Sequence, residues 1–329
     1  MHMSDALVSP AAAAAAGTVS LALLGTAIRK LRPTRSGRPA DPLRNERIVP
    51  LMGVMGAFVF AAQMINFAIP GTGSSGHIAG GILLSAMLGP WAALLTLSSV
   101  LILQCLLFAD GGFLALGCNI LNMAVLSCLV AYPLVFKPLM RPDATPGRIL
   151  AASVLASVAA LGLGALAVTL ETEVSGITAL PFGRFLLFML PIHLAIGLGE
   201  GLATGALLNA VRRCRPELLD TGRRQSLNRR RFGRSLAVIA AAALLLGASF
   251  SWLASSQPDG LEWSVARTAG DAEILPAPGE AHRAAAAIQQ TTAALPDYGT
   301  TTAGLAGCGV ILLAAWGGTR LLRTGRRRA

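Results

Sequence analysis

Residues 149–170 read ILAASVLASVAALGLGALAVTL, 22 positions without a charge, held between Arg148 and Glu171. About 20 mainly apolar residues are what an α-helix needs to cross the hydrocarbon core of a bilayer. No water is present there to satisfy backbone N–H and C=O groups, so a spanning segment must be a helix or part of a closed barrel. Reading outward from this stretch gives nine apolar segments, at about 6–28, 48–69, 77–88, 91–109, 119–136, 149–170, 185–211, 235–254 and 302–318. The third is short for a crossing, and Gly89-Pro90 parts it from the fourth, so these two read as a broken or re-entrant helical pair. The prediction is an all-α integral membrane protein, a polytopic helical bundle.

Composition agrees. Of 329 residues 54% are apolar and only 13% charged, and the mean hydropathy is +0.63. A soluble domain carries about 25% charged residues. The formal net charge of +11, from 27 basic against 16 acidic residues, would suggest nucleic acid in a soluble protein. In a membrane protein basic residues mark cytoplasmic loops. Here 24 of the 27 lie in four alternating segments, 29–47 (Arg29, Lys30, Arg32, Arg35, Arg38, Arg44, Arg47), 137–148, 212–234 and the tail from Arg320 to Arg328. Placing these inside puts the N-terminus outside and the C-terminus in the cytoplasm, and no nucleic-acid partner is required. No basic residue precedes Arg29, which argues against a cleaved signal peptide; the first helix and Met1 are expected to stay, and the bulk of His2 disfavours removal of Met1. Trp252 and Trp316 fall near opposite ends of the last two spans, as interfacial Trp does.

The five cysteines, Cys105, Cys118, Cys128, Cys214 and Cys308, form no C-x-x-C pair, and several sit in apolar runs as small hydrophobes. The basic segment 212–234 divides the chain into 1–211, a cytoplasmic linker, and 235–329, in which two helices flank a polar outer loop of about 255–300. Rich in Ala, Pro, Gly and Thr, that loop is assigned no fold by composition.

Ionisable residues in or near a membrane are costly and so mark candidate sites. There are four histidines. His2 stands at a special distance from the chain end. A free α-amine, the amide nitrogen of residue 2 and Nδ1 of His2 close a five-membered and a six-membered chelate ring on one ion. The amide must ionise, which suits Ni²⁺ or Cu²⁺ in tetragonal nitrogen sites. One planar position stays open, and His77 is the best candidate to fill it. It follows the glycine-rich run Pro70-Gly71-Thr72-Gly73-Ser74-Ser75-Gly76, on the same outer side. The plainer alternative is a solvated terminal His2 and a loop His77 that caps the third helix. His193 and Glu200 share one helix face two turns apart; they line a path, orient ligands, or make an internal helix–helix hydrogen bond. Gly197, Gly201 and Gly205 give a close-packing face. Gln63, Asn66, Asp110, Asn119 and Asn122 are candidates to pin the outer loops, or ordinary interhelical hydrogen bonders. His282 reads as a surface residue of the outer loop.

These residues carry a resemblance. Met1-His2-Met3-Ser4-Asp5-Ala6-Leu7-Val8-Ser9-Pro10 resembles the opening of the cobalt/nickel substrate-binding subunits of energy-coupling-factor transporters, the CbiM/NikM type. Gln63-Met64-Ile65-Asn66-Phe67, Gly76-His77, Gly80-Gly81, Leu88-Gly89-Pro90-Trp91, Phe108-Ala109-Asp110-Gly111-Gly112, Gly117-Cys118-Asn119-Ile120-Leu121-Asn122-Met123-Ala124 and His193-Leu194-Ala195-Ile196-Gly197-Leu198-Gly199-Glu200-Gly201 match as well, over about 1–211. Cys118 departs from the small apolar residue usual there. Pro258-Asp259-Gly260-Leu261-Glu262, between two helices, resembles the P-D-G-L-E segment of the small accessory subunit, the CbiN/NikN type, fused here to the main subunit. The resemblance implies a planar metal site of the Met1 amine, the His2 amide, the His2 imidazole and the His77 imidazole. It further implies a membrane coupling (T) subunit and a pair of cytoplasmic ATPases as partners, and residence in the plasma (inner) membrane.

The expected function is capture of Ni²⁺ or Co²⁺ as transported substrate, with no prosthetic group and no enzymatic activity. The chain has no G-x-x-x-x-G-K-[ST] run, so ATP hydrolysis through a P-loop would fall to partners. Nitrogen-rich planar ligation favours Ni²⁺ over Co²⁺, and Cu²⁺ would bind more tightly still. The alternatives are an intramembrane metallo-enzyme built on His193 and Glu200, which needs more ligands than the sequence offers, and a membrane protein that senses metal without moving it. How the Pro258–Glu262 loop acts is open; ordering or loading of the N-terminus is the working expectation.

Overall fold

The computed structural model describes residues 1–31, 42–141, 143–219, 229–249, 254–270, 279–296 and 301–327. Arg32, Arg35, Arg38, Arg223, Arg224, Trp252 and Arg328 lie outside these residues, so the basic loops and the paired-tryptophan expectation are described only in part.

Residues 149–170 form the middle of a helix, Pro146–Ser175. Its boundaries follow local chemistry. The Thr145 side chain accepts a hydrogen bond from the Arg148 N–H at 3.3 Å, Pro146 opens the first turn, and Gly176 at φ +60° closes it. Ala152, Ser153, Ala156, Ser157, Ala160, Leu161 and Gly164 are buried on one face, at the three- and four-residue spacing of a helix stripe. Leu155, Leu163, Leu166 and Leu170 are exposed, the apolar outer surface that lipid requires. The same logic runs through the chain, which we number α1 (Pro10–Leu31), α2 (Pro42–Gln63), β1 (Phe67–Ile69), β2 (Ser74–Gly76), α3 (Gly81–Leu88), α4 (Pro90–Phe108), α5 (Leu116–Leu139), α6 (Pro146–Ser175), α7 (Phe182–Cys214), α8 (Arg229–Ser249), α9 (Gly260–Ala269), α10 (Glu280–Thr292) and α11 (Thr301–Arg327). In α5, Ile120–Phe136 is wound as a π-helix.

The protein is a multi-pass helical membrane protein. Among the described residues six helices are long and apolar enough to span a bilayer: α1, α4, α5, α6, α7 and most of α8 (Arg230–Ala248); Ile48–Gln63 and Thr301–Gly317 are shorter apolar helices. The third apolar segment begins as a loop and becomes helical only at Gly81. Gly89, at φ +80°, separates α3 from α4, which is the predicted helical break.

α6 and α7 pack backbone to backbone. A Cβ on Gly197, Gly201 or Gly205 would stand 2.8, 2.4 or 2.9 Å from the Cα of Val158, Val154 or Leu150, so the small-residue face read from sequence is a helix–helix contact. On the other side of the bundle α8 and α11 close on α2. A Cβ on Gly304 would meet the Gly247 carbonyl at 2.4 Å, and Gly307 leaves room for the Phe60 ring. A second, smaller core of Phe60, Phe108, Ala243, Ala303 and Cys308 joins these elements.

Two features were not expected. β1 and β2 form a short antiparallel hairpin with Phe67 opposite Gly76, turned at Gly71 and Gly73, whose φ values of +77° and +75° favour glycine. Segment 255–300, assigned no fold from composition, contains α9 and α10. α9 starts with a capping box in which the Asp259 carboxylate accepts from the Glu262 N–H at 2.8 Å and the Glu262 carboxylate from the Asp259 N–H at 3.3 Å. All five cysteines are free thiols, and only Cys214 is exposed.

Candidate metal centre

The first nine residues fold back along the end of the bundle. Asn119, near the start of α5, grips Met3 from both sides: its Oδ1 accepts from the Met3 N–H at 2.7 Å and its Nδ2 donates to the Met3 carbonyl at 3.1 Å. The Gly112 N–H donates to the same carbonyl at 2.9 Å, and Asp5 accepts from the Ala115 N–H at 2.9 Å. Met3 and Val8 are fully buried. The Met1 side chain enters a notch at Gly164, where a Cβ would fall 2.6 Å from its methyl carbon. Residues 1–9 are therefore held at several points, although they contain no element longer than one 3₁₀ turn.

His77 is held with comparable redundancy. β2 delivers it, and a Cβ on Gly76 would lie 2.4 Å from Ile196 of α7. Downstream, Glu200 of α7 accepts from the Ala79 and Gly80 N–H groups at 2.9 and 3.1 Å. Gln63 donates to the Ala79 carbonyl at 2.9 Å and accepts from Gln104 at 2.6 Å. As a result the His2 and His77 rings lie 5.3 Å apart, centre to centre, with planes inclined by 21°. Two imidazoles that each bind one ion at ~2.0–2.1 Å through nitrogen have centres no more than roughly 6 Å apart, so both rings stand within reach of a single cation.

The surrounding charges are unusual for a membrane face. The Met1 nitrogen donates to Asp259 Oδ2 at 2.9 Å, and His2 Nδ1 lies 3.3 Å from Asp110 Oδ1. Burial, followed by the positive charge of the Met1 ammonium, pushes His2 and His77 down to about 3. Burial raises Asp110 to about 6. For Asp259 burial acts upward but is outweighed, chiefly by the Met1 ammonium, which holds its carboxyl well below the usual carboxylate range. Near neutral pH the two imidazoles are thus uncharged and stand beside the Asp110 and Asp259 carboxylates. A cavity of ≈ 10 Å³, about the size for one water, opens beside it and is lined by Met1, His77, Met123, His193, Asp259 and Gly260, among others.

The structure brings Met1, His2 and His77 together. Gln63 hydrogen-bonds the loop after His77 and Asn119 the segment after His2, and Asp110 lies against His2. Asn66 contributes its carbonyl, which accepts from the Ser255 N–H at 2.7 Å. Asn122 turns away and donates to Glu171 at 2.6 Å. His193 and Glu200 are both buried on one face of α7, but they do not converge on one point. His193 Nδ1 lies 2.8 Å from the Met189 carbonyl, whereas Glu200 is spent on the loop after His77. His282 is not a surface residue: it is buried, and its Nε2 lies 3.0 Å from the Val8 carbonyl. α10 folds over the N-terminal segment, and Gln289 donates to the Gly111 carbonyl at 2.7 Å. Asp259 and Gln104 are the near neighbours that sequence reading passed over. Nothing in the sequence around Asp259 signals its reach to Met1. Among the described residues no three His, Cys, Asp or Glu side chains cluster as a metal site.

The family model described as the cobalt uptake substrate-specific transmembrane region matches residues 2–218, and the PDGLE domain model matches residues 233–324. The fused nickel transport protein NikMN of Rhodobacter capsulatus is 31% identical over 67% of this chain and 64% of its own length. The cobalt transport protein CbiM of Sorangium cellulosum is 30% identical over 52% of this chain and 76% of its own. A crystal structure of a truncated transition metal transporter superposes with a TM-score of 0.53 at 29% identity, covering 65% of this chain and 99% of that one.

Proposed function

This chain belongs to the family of cobalt-uptake substrate-specific transmembrane proteins, and from that membership we propose that it is the substrate-capture subunit of an ATP-driven, energy-coupling-factor-type importer for Ni²⁺ or Co²⁺. The cation is its substrate. Four nitrogens take it in a plane: the Met1 amine, the ionised His2 amide, the His2 imidazole and the His77 imidazole. The observation that carries the reading is the meeting of the chain's first two residues with His77, across 75 positions of sequence, at a point ringed by loop-pinning hydrogen bonds.

Binding follows from the charges. Both imidazoles are neutral near pH 7 and accept the ion without losing a proton. The Met1 ammonium and the His2 amide each give up one, and Met1 leaves Asp259 to turn its lone pair to the metal. A dication with one ionised amide leaves a single net positive charge, which Asp110 and Asp259 flank. Planar nitrogen donors favour Ni²⁺ over Co²⁺ and would hold Cu²⁺ more tightly still, so discrimination against copper rests on availability. The chain carries no P-loop, and inward release is driven by partners, a membrane coupling subunit and a cytoplasmic ATPase pair. The protein sits in the plasma (inner) membrane with the metal centre outside. Two observations support that orientation: 137–148 and 212–219, rich in Arg, contact each other through Arg212 and the Ala144 carbonyl, and the metal centre is assembled from the loops of the opposite parity.

The test is calorimetric titration of Ni²⁺ into the purified full chain. His2→Ala and His77→Ala should each remove tight binding, by about 100-fold or more for the loss of a ligand. Unaltered affinity in His77→Ala would refute the four-nitrogen site. Uptake of Ni²⁺ by cells should require co-expression of the ATPase pair.

A further inference from the structure

The C-terminal segment reaches the candidate metal centre through Asp259. Asp259 uses its two carboxylate oxygens separately: Oδ1 accepts from the Glu262 N–H at 2.8 Å and starts α9, while Oδ2 accepts from the Met1 nitrogen at 2.9 Å. Its backbone is fixed to the His77 hairpin. The Ser75 N–H donates to the Pro258 carbonyl at 2.8 Å, the Ser75 hydroxyl to the Gln257 carbonyl at 2.7 Å, and Ser75 and Asp259 form a parallel bridge. The Trp263 indole N–H donates to the Thr72 carbonyl at 3.0 Å. Gly260 allows this approach, because a Cβ there would stand 2.8 Å from Ile196 Cδ1 and 3.2 Å from the His193 ring. Hairpin, His77 and Asp259 are thus one rigid unit, and the Met1 nitrogen is tied to that unit by the Asp259 carboxylate.

We propose that Asp259 is the positioning residue by which the C-terminal PDGLE segment holds the N-terminal nitrogen beside His77 before an ion arrives. The inference rests on the reading of that nitrogen as a metal ligand. It gives the C-terminal segment a defined task in cargo capture. Without the tie the first residue is anchored by its side chain at Gly164 and by Met3 at Asn119, and its nitrogen is free to turn from the site. An ion would then have to bear the ordering cost, and affinity falls.

Asp259→Asn separates the tie from the cap. Asn is as good an N-cap as Asp, so α9 keeps its start while the charge that holds the Met1 nitrogen is removed. Asp259→Ser serves as a second capping variant if the first is poorly expressed. Two measurements are made on the full chain in detergent, metal-free and then with Ni²⁺ alone. Acylation of the Met1 amine, followed by mass spectrometry of the N-terminal peptide, should be severalfold faster in Asp259→Asn than in the parent. Ni²⁺ affinity should be about tenfold weaker, the lower end for losing a group that orients a ligand. A parent chain that binds Ni²⁺ and a variant with the same affinity would overturn the proposal whatever the labelling rate. A parent that binds no Ni²⁺, with labelling still accelerated in the variant, would leave Asp259 as the anchor of the N-terminus and remove the metal-site reading instead.

Discussion

Glu200 shows how a buried charge in a spanning helix is put to use. Burying an ionisable group is costly unless it is hydrogen-bonded, and this one is satisfied by two backbone N–H groups directly after His77. Glu200→Gln keeps an acceptor but loses the second, and Ni²⁺ affinity should drop about tenfold while the bundle stays folded; unchanged affinity would mean that the other contacts of the loop suffice to hold His77. The histidines make a further prediction. His2 and His77 are lowered from 6.5 to about 3, so the folded, metal-free protein favours their neutral forms. The stability this contributes is full above pH 6.5 and is lost progressively as pH falls toward 3. Replacing both by Gln should flatten the acid limb of a thermal-unfolding profile. Near pH 7 binding of Ni²⁺ should draw no proton from the rings. Calorimetry in buffers of different ionisation enthalpy counts the protons released, and more than the amine and the amide can supply would show that the rings were charged.

At the scale of elements, the spans were legible because a bilayer leaves a chain few choices. Residues 149–170 have no charge and lie inside one helix, and the Gly197, Gly201 and Gly205 face is where α6 and α7 touch. Gly201→Leu should therefore part these helices, costing about 1–3 kcal/mol by overpacking and lowering the thermal midpoint, whereas Gly183→Ala, with open space around it, should not. Equal midpoints would contradict the packing. The hairpin 67–76 and the helices of 255–300 were not legible. The strands are three residues each, too short for a period-two pattern, and α9 and α10 are specified by what they lie against. His282 illustrates this. A histidine in a polar segment reads as a surface residue, and only the folding of α10 over Val8 buries it.

Over the whole molecule, few contacts between distant segments were legible: the approach of His77 to His2 was expected, whereas the pairing of Asp259 with Met1 was not. The partners Met1 and Asp259 are 258 positions apart, and no spacing rule connects them. What sequence did hold was the unusual end, His2 one residue from the amine, and a second histidine in a glycine-rich outer loop. The C-terminal segment is then more than an appended pair of helices: α8 and α11 close against α2, and Asp259 and His282 contact the N-terminal segment. Gly304→Leu, which places bulk where the Gly247 carbonyl stands 2.4 Å from a Cβ, should loosen that segment. Limited proteolysis should cut within 254–300 sooner, and Ni²⁺ affinity should fall with it. The most direct test of the whole account is a Ni²⁺ titration comparing the chain that begins at Met1, confirmed by mass spectrometry, with one that carries a single additional residue before it. Loss of tight binding in the extended chain, with its fold and thermal midpoint retained, is the predicted result; equal affinity in the two would contradict it.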